Sequence, residues 1–153
     1  MGDWLIVRTK FKKEQAVATQ ISKKGFTVWV PVEKVVQRHP AARRHMDRSN
    51  TYLPPKDRPI CPSLFFAAVP VDEIDRILGL RDLDKVEQTN EGTWALVPHE
   101  QVERFRKVID AENAAAMALF QTTGKRNKAR WHSMQDALMR LVEGAKQNLE
   151  QAA

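Results

Sequence analysis

The sequence predicts an α+β fold, an antiparallel sheet flanked by helices with a helical C-terminal extension. Three observations carry that expectation. Short apolar runs rich in β-branched and aromatic residues recur along residues 4–97, the mark of strands. Segments with apolar residues three to four apart alternate with them, the mark of amphipathic helices. Residues 114–153 carry only the helical spacing.

Trp4-Leu5-Ile6-Val7 is continuous enough to be buried on both sheet faces. Glu14 to Lys24 reads as a helix, with Ala16, Val17 and Ile21 on one side and Gly25 as its stop. Phe26 to Val36 reads as one strand interrupted by Pro31. Gln37 to Cys61 reads as a long loop, proline-rich and basic, with Arg38, Arg43, Arg44, Arg48, Lys56 and Arg58. Leu64 to Val69 is a strand. A short helix opens at Asp72-Glu73-Ile74-Asp75, with Asp72 as N-cap and Ile74, Ile77 and Leu78 buried. Val86–Thr89 and Thr93–Val97 flank the hairpin signal Asn90-Glu91-Gly92. Pro98 starts a helix where its missing N–H is harmless, with Val102, Phe105, Val108 and Ile109 on one side. That helix can continue through Phe120. After Gly124, a second stripe runs through Trp131, Met134, Leu138, Leu141, Val142, Ala145 and Leu149. The order is β-α-β-(loop)-β-α-β-β-α, and helices on one face of the sheet are the economical arrangement. Two units are expected, residues 1–112 and 113–153.

Composition narrows the function classes. Hydrophobic residues at 42% suffice for one core in 153 residues, and charged residues reach 29%. No apolar stretch approaches the ~18–20 residues of a membrane helix, and the N-terminus lacks a signal pattern, so a cytoplasmic protein without a membrane partner is expected. Cys61 is the single cysteine, which excludes an intramolecular disulfide or a CxxC metal site. Met1 to Arg58 holds 13 Lys/Arg against 5 Asp/Glu, Pro59 to Asn113 holds 6 against 11, and Ala114 to Ala153 holds 6 against 3. A basic flank favours phosphate backbones, although such asymmetry is also common on ordinary surfaces.

At four places the residues resemble the N-terminal domain shared by NusG and its paralogue RfaH. These are Trp4-Leu5-Ile6-Val7 with Glu14 ten residues after the tryptophan, Trp29-Val30-Pro31-Val32-Glu33-Lys34-Val35-Val36 at the end of the second strand, Pro62-Ser63-Leu64-Phe65-Phe66-Ala67, and Ala95-Leu96-Val97-Pro98 before a helix. The match spans about Asp3 to Asp110. The resemblance implies an α/β sandwich without catalysis or cofactor. The implied role is that of a monomeric elongation or antitermination factor. It would bind multisubunit bacterial-type RNA polymerase at the clamp helices of the largest subunit, touch the opposing gate loop and face DNA. Carried over by position, Arg8, Ile60, Cys61, Pro62, Leu64 and Phe105 would form the clamp-docking depression. Asp75 and Arg76 would meet the gate loop, and Lys10, Lys12 and Lys13 would face DNA. Three departures stand out. The family's aromatic-Pro-Gly-Tyr becomes Cys61-Pro62-Ser63-Leu64. The 37–61 segment is longer and more basic. Nothing after Asn113 has the Gly-rich strand pattern of the family's small β-barrel, the KOW domain.

Other groups admit two readings each. Lys10, Lys12 and Lys13 suit nucleic acid or a solvated helix entrance. Arg43 and Arg44 suit a nucleic-acid-gripping arm or a surface loop, with Tyr52 as its stacking candidate. Lys125, Arg126, Lys128 and Arg130 suit nascent RNA or upstream DNA. Asp72, Glu73 and Asp75 are expected at a helix start on dipole grounds rather than as a catalytic set. His39, His45, His99 and His132 lack metal-ligand spacing. Trp4 and Trp29 are read as core, and Trp94 as packing the hairpin. The Trp131–Leu149 stripe is read as packing on the domain or the preceding helix, or as a partner-binding helix. Beside the elongation factor stand two alternatives, a polymerase-binding inhibitor and a free-standing nucleic-acid-binding module.

Overall fold

A computed structural model describes residues 2–38, 52–123 and 128–147, apart from the side chains of 36–38, 52–55, 119–123 and 128–131. The chain runs β1 (Trp4–Thr9), α1 (Glu14–Lys23), β2 (Thr27–Trp29), β3 (Val32–Arg38), β4 (Tyr52–Pro59), β5 (Leu64–Ala68), a 3-10 turn (Val71–Glu73), α2 (Asp75–Leu78), β6 (Leu83–Val86), β7 (Leu96–Val97), α3 (His99–Thr123) and α4 (Lys128–Gln147). The main sheet has the order β2-β5-β1-β6, with β7 also pairing β1. All its pairings are antiparallel. β6 meets the C-terminal half of β1 (Val7 opposite Val86) and β7 its start (Trp4 opposite Val97).

Helices cover both faces of this sheet, not one. The reason lies in β1, whose two alternating sets are both apolar. Trp4 and Ile6 enter a cluster with Phe66, Val102 and Ile109 of α3 and Leu138 of α4. Leu5 and Val7 enter another with Val17 and Ile21 of α1 and Ile77 of α2.

The region expected to be one strand divides at Pro31. β2 stays in the main sheet, while β3 forms a separate two-stranded ribbon with β4, the latter inside the segment expected to be a loop. Prolines 54 and 55 argued against a ladder there. Neither has a ladder partner, because both fall between the Lys56 and Leu53 pairings at an irregularity of the ribbon, where a missing N–H is tolerated. Its register shifts between Val35 and Gln37. Asn113, buried in α3, anchors the ribbon: its Nδ2 donates to Val32 O at 2.9 Å, and Lys34 N–H donates to its Oδ1 at 3.0 Å. α3 passes residues 112 and 113 without a break.

Several local expectations shift. α1 buries Val17, Ala18 and Ile21, while Ala16 is exposed. Gly25 follows α1 at φ 94°, a left-handed value suited to glycine. Asp72 does not cap, because the chain enters through Pro70 into a 3-10 turn with no side-chain cap. Ile74 and Ile77 are buried but Leu78 is exposed, and on α3 Val108 is exposed. The hairpin closes through Thr89 N–H donating to Thr93 O at 2.7 Å, with Gly92 at φ 87° and a bridge from Gln88 to half-buried Trp94. No helix among the described residues is long and apolar enough to cross a membrane.

Candidate functional site

Of the residues expected to form a docking depression, Ile60, Cys61, Leu64 and Phe105 gather around one buried cluster that α4 also enters, whereas Pro62 is exposed and Arg8 pairs with Glu87. Ile60 is 0% exposed, Cys61 7% and Leu64 1%. Met134, Leu138, Val142 and Ala145 of α4 belong to the same buried cluster, and half-buried Phe105 packs against it. The amphipathic stripe thus packs on the domain, as one of its readings held; Trp131 and Leu149 lie outside the described side chains. In the described fold α4 packs over the apolar part of this group. The physical reason is the 3–4-residue spacing of that stripe, which matches an apolar face otherwise left bare.

Polar contacts fix α4 along its length. Gln135 Nε2 donates to Ile60 O at 3.2 Å. Cys61 Sγ lies 3.8 Å from Met139 Sδ. At the far end, Asn90 N–H donates to Lys146 O at 3.1 Å, satisfying a carbonyl of the last helical turn.

A charged group adjoins this end. Glu87 is 3% exposed and accepts from Arg8 Nε at 3.0 Å. Lys85 Nζ lies 3.6 Å from its Oε1, and Lys146 Nζ 3.5 Å from its Oε2. Burial pushes the Glu87 carboxyl up. The Arg8 hydrogen bond and the charges of Lys85, Lys146 and Arg8 outweigh it, holding the group below the usual carboxylate range. One carboxylate therefore joins β1, β6 and α4. Burial raises the Cys61 thiol, against the opposing pull of the Arg8 charge.

Pro62 is exposed and Ser63 has φ 68°. Ser63 stands where the resembled motif carries glycine, so a residue with a Cβ holds a left-handed turn at a cost of about 1 kcal/mol. Its carbonyl accepts from Thr9 N–H at 2.9 Å. Phe105 packs edge-on against Trp29, with ring centroids 5.9 Å apart, and Trp29 stacks on Phe66.

Asp75 and Arg76 are exposed on α2, on the sheet face opposite the Ile60-Cys61-Leu64 group. Arg76 bonds Glu73 at 3.0 Å and covers the Phe26 ring. Lys10, Lys12 and Lys13 are exposed in the loop between β1 and α1. Arg43, Arg44, Lys125 and Arg126 lie outside the described residues, as do the side chains of Lys128 and Arg130. Among the described residues, no three His, Cys, Asp or Glu side chains gather as a metal site.

Sequence reasoning missed Glu87, Lys146, Gln135 and Asn113. Glu87 and Asn113 carried a faint signal, being polar residues beside or among apolar core positions, but the hydrogen bonds that hold them reach 79 to 81 residues along the chain.

A family model described as "Transcription termination factor nusG" matches residues 2–106. No curated protein matches the chain.

Proposed function

The chain belongs to the NusG family, and from that premise we propose that it is a non-catalytic elongation or antitermination factor that binds RNA polymerase through the face now under α4. The observation that carries this reading is the gathering of Ile60, Cys61, Leu64 and Phe105 around one apolar cluster that the stripe of α4 packs into. Apolar surface of that kind, once uncovered, is attracted to a partner's apolar side chains in proportion to the area removed from water. The clamp helices of the largest polymerase subunit are the proposed partner, and α4 must leave before they can dock. The described fold is then a closed state. Its response to the polymerase is a population shift whose size is set by the difference in affinity between closed and open forms.

Asp75 and Arg76 support a bridging mechanism, since both are exposed on the element that packs on the other sheet face, where Arg76 pairs with Glu73. Contacts on both sides would hold the channel closed and favour elongation over pausing.

The test is retention of core RNA polymerase by immobilised chain, followed by transcription across a terminator. Leu138→Asp is expected to raise retention at least tenfold and lengthen transcripts. Adding Leu64→Asp to that variant is expected to remove both gains. Equal retention by the single and double variants, with both shown folded by circular dichroism, contradicts docking through this face. Shorter rather than longer transcripts would make the chain an inhibitor.

A further inference from the structure

We propose that the cavity between β6 and the end of α4 binds a mononucleotide, and that the bound nucleotide holds α4 on the domain. The cavity has a volume of about 440 Å³, within the range of about 300–1,000 Å³ that small-molecule sites occupy. Lys146 of α4, Asp84 and Lys85 of β6, and an apolar set of Leu78, Leu83 and Trp94 line it. Leu78 is 40% exposed and the Lys85 side chain 61%, so a solute can reach the cavity from solvent.

The cations here exceed the charge they are paired with. Arg8, Lys85 and Lys146 share the single Glu87 carboxylate, and Arg8 alone hydrogen-bonds to it. The ammonium groups of Lys85 and Lys146 stop at 3.6 and 3.5 Å, beyond the roughly 2.7–2.9 Å of a charge-assisted hydrogen bond. Their donors are open to a second acceptor. Both approach oxygens of one carboxylate, which puts them close enough for one anion to bridge. Asp84 is exposed and forms no ion pair with another described residue. Trp94 is half-buried, and no aromatic ring or cation of the described residues stacks on its indole.

The chemistry selects the ligand. Two lysines on separate elements are best met by an anion with three strong acceptor oxygens, which a phosphate has and a peptide carboxylate does not. Leu78, Leu83 and Trp94 offer an apolar surface to a planar ring, which inorganic phosphate cannot use. Asp84 can accept from sugar hydroxyls, as an acidic side chain does beside a bound ribose. Ring, sugar and phosphate together make a mononucleotide. A longer strand would leave most of its charge outside the cavity.

Lys146 completes the site only while α4 is docked, so the ligand favours the closed form by a factor that grows with its concentration over Kd. It would thereby oppose polymerase, a consequence that rests on reading the face beneath α4 as the docking face.

The test is isothermal titration calorimetry of the full chain with AMP, GMP, adenosine, inorganic phosphate and oligo(dA). The better of AMP and GMP is expected to bind at least about tenfold more tightly than the other three probes. Lys85→Gln is expected to weaken it about tenfold through the lost charge-assisted contact. Leu138→Asp lies outside the cavity and is expected to weaken it at least about tenfold, because Lys146 leaves with α4. At about ten times its Kd, the nucleotide is expected to slow Cys61 labelling of the wild-type chain about tenfold. Any of four results would overturn the proposal: no binding of either nucleotide, equal affinity for inorganic phosphate, tighter binding of oligo(dA), or full affinity in Leu138→Asp. A failure to bind leaves the docking reading standing. Binding that slows Cys61 labelling but leaves polymerase retention unchanged keeps the site and sinks the docking reading.

Discussion

Replacing Leu138 with aspartate is expected to expose Cys61 to thiol reagents roughly a thousandfold faster than in the wild-type chain. Leu138 is fully buried between α4 and the sheet. Removing a buried leucine side chain costs about 2–5 kcal/mol, and placing a carboxylate in the same apolar site adds to it. A total of about 4 kcal/mol moves the docked-to-undocked ratio of α4 by roughly 10³. The rest of the domain should persist, because Trp4, Ile6 and Phe66 still pack against Val102 and Ile109 of α3. Cys61 is the single thiol of the chain, so the labelling rate reports the opening of this face without a competing site. Unchanged labelling in a folded Leu138→Asp variant would mean that α4 is not the cover.

Glu87→Gln should loosen the same helix from its other end and change the acid response. The substitution keeps the shape but removes the one negative charge among Arg8, Lys85 and Lys146. A fully buried pair loses about 3–5 kcal/mol when one partner is removed. Here the Lys85 and Lys146 side chains are 61% and 31% exposed, so solvent screening reduces the expected loss to about 2 kcal/mol. The direction with pH follows from the lowered Glu87 pKa. A carboxylate with a depressed folded pKa stabilises fully above its unfolded value, about 4.3, and that contribution disappears as pH falls through the folded value. Wild type should therefore exceed Glu87→Gln in urea-unfolding stability at pH 7, and the two should converge in stronger acid. A gap that persists at the acid end would assign the loss to packing rather than charge.

The α+β class and most of the elements were legible because they rest on local signals. The apolar alternation of Trp4–Val7, the glycine at residue 25 and the periodic stripe of α4 each speak within a few residues. What was not legible depends on pairing across the chain. Nothing near Pro54 and Pro55 signals that β3 lies alongside as a two-stranded ribbon. The stripe from Met134 to Ala145 shows that α4 buries one side, but not which surface receives it. For the same reason the candidate site was half legible. Ile60, Cys61, Pro62 and Leu64 were singled out through the family resemblance, while the packing of α4 over them and the Glu87 cluster came only from the fold.

The central claim is that polymerase docks on the face beneath α4, and Cys61 is the direct reporter. The decisive measurement is the labelling rate of Cys61 in the Leu138→Asp chain, with and without core RNA polymerase. Saturating polymerase is expected to return the thiol to the slow labelling of the closed wild-type chain. Polymerase that is retained by this variant yet leaves Cys61 labelling at its fast, open rate would contradict it.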